Sequence, residues 1–295
     1  MNIYSKDKDL IIENVKDFDI EDILECGQCF HFTRLGEKEY ELMALGKYLR
    51  IKQESSDTFC HITLYNTSLN DYENVWKIYF DMDRDYEEIK NHIISLDQRL
   101  FDAVNAKKGV RIIKQEFFET LISFIISQNK QIPHIKQIVH KLSEKYGHCI
   151  EIENGRKVYT FPTVDRLSQV SEEELRECKV GFRASYIKDA VTKVYQGKID
   201  PNKLIGMSVE EARQALMTIK GVGEKVANCV LLFGLGFTDV FPVDVWMKRI
   251  MEYMYFEKDT KKEEIEKFAI EKFGSYAGFA QQYLFYYGRE NGLGK

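Results

Sequence analysis

Two glycines one residue apart interrupt a long helical pattern: Leu216-Met217-Thr218-Ile219-Lys220-Gly221-Val222-Gly223-Glu224-Lys225-Val226-Ala227-Asn228-Cys229-Val230-Leu231-Leu232. Helix-forming residues lead into the pair and an apolar-rich helix leaves it. Gly221 and Gly223 let the chain reverse tightly and keep side chains off the amides of the turn. The expected product is an αα-hairpin with Val222 at its tip, its helices drawn close by the small Ala227. Amides at the N-terminus of the second helix make an anion site suited to a DNA phosphate. A hairpin with no ligand makes the same demands on sequence, so this stretch alone leaves both readings open.

Nineteen residues after Lys225 comes Asp244, in Phe241-Pro242-Val243-Asp244-Val245-Trp246. Asp244 is expected to cap a helix that runs through Met247, Ile250 and Met254. A plain helix cap at Asp244 and a phosphate contact at Lys225 are the unreactive alternatives. Together, however, the hairpin and Pro-Val-Asp resemble those of DNA glycosylases built on this motif, in which an aspartate faces the scissile N-glycosidic bond. The two residue types suit that cleavage. Such cleavage passes through a cation-like sugar, which a nearby carboxylate stabilises. An amine attacking C1′ then yields a Schiff base, and β-elimination nicks the strand. A free lysine is protonated at neutral pH, so it must lose its proton through burial or a neighbour. Cys229 lies four residues beyond Lys225 on the same helical face, placed to exchange that proton, to touch the base, or simply to fill the core.

The rest of the chain fits a soluble enzyme that handles a polyanion. Hydrophobic residues make up 44% of the 295 and charged residues 30%, with no apolar run long enough to span a membrane. The start shows no apolar leader, and six scattered cysteines suggest free thiols, so the cytoplasm is the expected compartment. The net charge of −5 conceals an asymmetry: residues 1–104 carry a balance of −10 and the remainder +5. Eight basic and three acidic residues fall between Asn105 and Lys145. This permits DNA binding without establishing it.

The fold class is expected to be α+β. Short alternating runs predict an antiparallel meander: Phe30-His31-Phe32-Thr33-Arg34, Tyr40-Glu41-Leu42-Met43-Ala44, Tyr48-Leu49-Arg50-Ile51 and Phe59-Cys60-His61-Ile62-Thr63. Turns fall at Gly36-Glu37-Lys38 and at Glu54-Ser55-Ser56-Asp57. The period becomes helical from Trp76, giving a β-rich N-terminal domain over 1–105 and a helical domain over 106–295, with eight to ten helices and the hairpin near 212–235. Pro133 and Gly147 should bound one helix, and Ser171, Ser208 and Thr260 each begin a capping-box pattern.

The hairpin followed by Pro-Val-Asp resembles the helix-hairpin-helix superfamily of DNA glycosylases, whose bifunctional members carry a lysine where Lys225 stands. Its iron–sulfur branches place four cysteines after the aspartate. Here the last cysteine is Cys229, so no such cluster exists. The alkyl-purine branch lacks the lysine. The chain resembles the 8-oxoguanine DNA glycosylase branch over nearly its whole length.

That resemblance implies roles for several further residues. In Cys26-Gly27-Gln28-Cys29-Phe30, the Gly27 carbonyl would accept a hydrogen bond from N7–H of 8-oxoguanine, a proton that guanine lacks. Gln28 belongs to the same base-recognition segment. Cys26 and Cys29 as half a zinc site are set aside, since no second pair exists. Ser123-Phe124-Ile125-Ile126-Ser127-Gln128-Asn129-Lys130 supplies Asn129 to fill the gap left by the flipped base. Gly181-Phe182-Arg183-Ala184 supplies the wedge Phe182 and an arginine facing the orphan base. In Ala280-Gln281-Gln282-Tyr283-Leu284-Phe285, Gln281 would read the Watson–Crick edge and Phe285 would stack. His134 stands where eukaryotic relatives have an arginine, and Trp246 where they usually have histidine; both are expected at the DNA surface. The implied partner is double-stranded DNA containing 8-oxoguanine, bound by a monomer with no cofactor or metal. Other damaged bases as substrate, or a silent hairpin that only binds DNA, are the alternatives.

Overall fold

The computed structural model describes residues 1–55 and 59–293. A six-stranded antiparallel sheet comes first, formed by β1 (Asn2–Lys6), β2 (Asp9–Val15), β3 (Phe32–Gly36), β4 (Glu39–Ala44), β5 (Lys47–Ser55) and β6 (Cys60–Tyr65) in the order β1-β2-β6-β5-β4-β3. The expected meander is β3 to β6. Register sets Tyr40 opposite Ile51, Ile51 opposite Leu64 and Leu64 opposite Leu10. These four residues form a buried row across four strands. Period-2 alternation puts such residues on one face, and β6 alternates buried and half-buried along its whole length. The turn expected at Glu54-Ser55-Ser56-Asp57 is corrected in its first half, since β5 runs through Ser55. Ser56 and Asp57 lie outside the described residues.

Four strands and the helix Ile20–Glu25 went unpredicted: β1, β2 and a separate antiparallel pair, Cys149–Glu151 with Lys157–Tyr159, set within the helical domain. β1 is an edge strand with almost no buried side chain. The helix Ile20–Glu25 spans six residues, capped by Asp19, whose carboxylate accepts from the Glu21 and Asp22 amides at 3.0 and 3.1 Å.

Beyond residue 105 the described residues form eleven α-helices, against eight to ten expected. Three of them have only five or six residues, too short to show a period. Pro133 lies in the first turn of Ile132–Tyr146 and Gly147 follows its end. A Cβ on Gly147 would come within 1.9 Å of the Thr160 carbonyl oxygen, so glycine is required there for close approach. Ser171 and Ser208 form complete capping boxes with Glu174 and Glu211. Thr260 does not: the cap of Lys262–Phe273 is Lys261, while the Thr260 hydroxyl turns back to the Lys258 carbonyl. Its amide donates instead to Glu252 Oε1.

Three apolar clusters organise the described residues. One fills the inner face of the sheet. A second surrounds the helices Phe117–Ser127 and Glu224–Leu235. The third gathers Cys26 with Phe241, Val243, Met247, Ala280 and Leu284. It thereby draws three distant segments together: the turn after the first helix, the Pro-Val-Asp segment, and the last helix, Ala277–Asn291.

Candidate active site

The reversal between Val209–Met217 and Glu224–Leu235 depends on its two glycines unequally. Gly221 has φ +76°, and a Cβ on it would fall 2.2 Å from a ring carbon of Tyr186. Gly223 is extended (φ −102°, ψ −178°), with nothing among the described residues within 4 Å of the corresponding point. It caps Glu224–Leu235 without any side-chain hydrogen bond. The first amides of a helix have no intrahelical partner and carry its positive dipole end. Val222 is buried and its amide donates to the Ile219 carbonyl. Its expected DNA contact is therefore corrected: Val222 is a core anchor at the tip of the turn.

Lys225 sits in the first turn of that helix, half-buried, its ammonium 4.9 Å from the centroid of the Phe124 ring. Phe124 is held in turn by stacking on Phe233 and an edge contact with Phe30. One turn on, Cys229 is buried. Burial pushes its thiol pKa up, the Lys225 ammonium beside it pulls the other way through charge and a hydrogen bond, and the Asp244 carboxylate adds a further upward push. Cys229 therefore feels both residues of the expected pair.

Phe241 and Val243 are pinned in the core, so the chain emerges with Asp244 at the N-terminus of Val245–Met251. Asp244 Oδ1 accepts from the Met247 amide at 2.7 Å. This cap uses one carboxylate oxygen, and Asp244 is half-buried. Trp246 lies partly exposed in the first turn, with the Arg249 guanidinium 5.7 Å from its ring centroid.

Gly27 adopts φ +90°, where any side chain would be strained. A Cβ there would lie 3.5 Å from Ile132 Cδ1, 3.5 Å from Arg289 Nη1 and 3.6 Å from Phe285 Cε1. The structure thus brings Gly27 and Phe285 together. One turn before Phe285, Gln281 is only 6% exposed. Its amide nitrogen meets Met247 Sδ at 3.8 Å and its Oε1 has no partner among the described residues. A buried, unpaired acceptor is costly unless something else satisfies it.

Gln28 is corrected outright. It is wholly buried, donating to the Ile23 and Arg111 carbonyls at 2.9 and 2.7 Å and accepting from the Ile113 amide at 3.0 Å. With its amide committed to three backbone groups, it is a strut behind the base-recognition segment. Arg183 is also corrected. It is buried, donating to the carbonyls of Val180 and Gln128. It braces the loop that carries Asn129 instead of facing outward.

That loop presents its residues to solvent: Asn129 is exposed at φ +52°, and His134 is exposed in the first turn of the next helix. Phe182 is 55% exposed, a high value for so large a ring. It packs edge-on against Tyr186 with centroids 5.8 Å apart.

Residues the sequence reading left without a role also line these features: Ile132 beside Gly27, Phe124 beneath Lys225, Met247 against Gln281, and Arg289. Phe124 lay within a quoted motif. The others became visible only through contacts distant in sequence.

A hairpin presenting free helix amides, a lysine in the first turn of its second helix and an aspartate capping the next helix are the features of the helix-hairpin-helix DNA glycosylase class. Residues 10–121 match the 8-oxoguanine DNA glycosylase N-terminal domain, and residues 122–274 match the HhH-GPD superfamily of base excision DNA repair proteins. A probable N-glycosylase/DNA lyase of Methanothermobacter thermautotrophicus is 30% identical, aligned over 72% of this chain and 74% of its own. The 8-oxoguanine glycosylase/lyase of Clostridium acetobutylicum, solved with double-stranded DNA containing cytosine opposite 8-oxoguanine, superposes with a TM-score of 0.93 at 40% identity, covering 99% of both chains. MBOgg1, solved with a low-affinity DNA ligand, gives a TM-score of 0.94 at 42% identity, also over 99% of both. The chain belongs to the HhH-GPD superfamily of base excision DNA repair proteins, within its N-glycosylase/DNA lyase family.

Proposed function

We propose that this protein excises 8-oxoguanine from duplex DNA and then cleaves the strand at the abasic site. One observation carries the reading: Lys225 sits half-buried in the first turn of the hairpin's second helix, its ammonium 4.9 Å from the Phe124 ring centroid, beside free helix amides that suit a phosphate. The Lys225 nitrogen attacks C1′ as the glycosidic bond breaks, and the bond's electron pair leaves with the base, which takes up the proton that the ammonium gives up. Asp244 stabilises the cationic sugar electrostatically. The C1′–O4′ bond of the resulting aminal then opens, O4′ taking the proton that the lysine nitrogen sheds, to leave a Schiff base that loses a proton from C2′ and expels the 3′ phosphate; water then releases the lysine. Gly27, Gln281 and Phe285 hold the flipped base, while Asn129, Phe182, His134, Trp246 and the Gly221–Gly223 turn engage the duplex. The protein acts as a monomer on double-stranded DNA, and its free cysteines suit the reducing cytoplasm.

Borohydride added during turnover of an 8-oxoguanine duplex tests the chemistry. A covalent adduct is expected, and it should vanish in Lys225→Gln. Asp244→Asn should bind DNA while losing most turnover. DNA binding with neither adduct nor base release would instead mark a silent binding module. An adduct only with other lesions would reassign the substrate.

A further inference from the structure

We propose that Arg289 reads the flipped base, its Nη1 donating to a purine carbonyl oxygen that borders N7; this rests on the site being the 8-oxoguanine pocket proposed above. Gln281, Phe285 and Arg289 recur every four residues along Ala277–Asn291, so they form one stripe of that helix. Helical side chains lean toward the helix N-terminus. Arg289 accordingly folds back over the stripe, its guanidinium carbon 5.7 Å from the Phe285 centroid and 5.4 Å from that of Tyr286.

The two ends of the guanidinium fare differently. Nη2 donates to the Glu25 carbonyl at 2.7 Å, which fixes the group against the turn that carries Gly27. Nη1 is shut from solvent and has no hydrogen-bond partner among the described residues. It lies 3.5 Å from the point where a Gly27 side chain would begin, next to the edge of the Phe285 ring. Buried guanidinium nitrogens are expensive to leave unpaired, and this one is held in place by contacts on its other side.

The same stripe carries a second orphan of opposite sense, the buried Oε1 of Gln281. An unpaired acceptor and an unpaired donor therefore flank one aromatic ring. Their complement is a flat heterocycle that presents N–H groups on one edge and a carbonyl oxygen on another. In 8-oxoguanine the N7–H lies between the carbonyls at C6 and C8. A base whose N7–H meets the Gly27 carbonyl thus brings one of those oxygens beside Nη1. A base without either oxygen would leave the guanidinium unpaired, so Arg289 reinforces the selection made at the Gly27 carbonyl.

The test compares R289M and R289K with the unaltered protein on two duplexes, one carrying 8-oxoguanine and one a preformed abasic site. Abasic-site cleavage uses the same protein surface with no base in the pocket. The ratio of base release to abasic cleavage should fall about ten- to a hundredfold in R289M. R289K keeps the charge and a donor for the Glu25 carbonyl but lacks the fork that spans both acceptors, so its ratio should fall comparably. An unchanged ratio in R289M overturns the proposal. So does full recovery in R289K, which would make the arginine only a support for the Gly27 turn. Absence of base release by the unaltered protein defeats the substrate reading itself, and that control is decided before either variant is compared.

Discussion

At the scale of single residues, the two hairpin glycines separate by experiment what their spacing in sequence presents as one motif. Gly221→Ala forces a methyl group into the Tyr186 ring from a left-handed backbone. It should cost about 2–4 kcal/mol in urea unfolding. Gly223→Ala meets open space in an extended conformation and should cost under about 1 kcal/mol, its effect falling on DNA affinity. Equal losses of stability would refute this division of labour. His134 carries the second residue-scale prediction. An exposed imidazole offers fewer donors than an arginine and no fixed fork, so opposite-base selection should be weak. Excision rates opposite cytosine and adenine are expected to agree within about tenfold; a hundredfold preference for cytosine contradicts this.

At the scale of elements, the helix Ile20–Glu25 is crowded with acid in its first turn. Its cations arrive from elsewhere, Lys38 onto Asp19 at 2.7 Å and Lys107 onto Asp22 at 3.3 Å. Burial, reinforced by the charge of Asp19 and only partly offset by Lys107, raises the Asp22 carboxyl to about 6. A carboxyl raised above its unfolded value of about 3.9 makes the folded state bind more protons, so ionising it costs stability as pH rises through that window. Asp22→Asn should therefore stabilise the protein by about 1–2 kcal/mol at pH 7.5, after allowance for solvent screening. The gain should fade to nothing below about pH 4, and denaturant titrations at both pH values check the sign.

The legibility of elements follows the range of the forces that shape them. β5 and β6 were readable because burial alternates along them, as it does over the first four residues of β4, and the hairpin because glycine conformations and the Asp244 cap are local. β1 was not, since an edge strand with no buried face has no pattern to show. Gln28 and Arg183 were misplaced for a related reason. Their polar partners are backbone carbonyls and amides as far as 85 positions away, and backbone groups leave no trace in sequence. Arg289 was silent likewise: only folding sets it against Gly27.

At the scale of the molecule, Gln28 ties the turn bearing Gly27 to residues 111–113, which lead into the helical core. Gln28→Ala strips three buried backbone groups of their partner at once. A loss of about 3 kcal/mol or more is expected by calorimetry, with base selectivity impaired in the fraction that folds. A loss under about 0.5 kcal/mol would show that the strut is dispensable.

Tyr186 joins the Phe182 wedge to the hairpin turn. Its ring meets the exposed Phe182 in a T-shaped contact and also lies against Gly221. The tooth that would enter the base stack and the turn that would hold the phosphates are thus mounted on a single rigid ring. Such a mount cannot probe a base pair while its hold on the backbone is slack. Sampling and gripping become one event, and the time spent at each base pair should lengthen or shorten with salt just as the hold on the phosphates does.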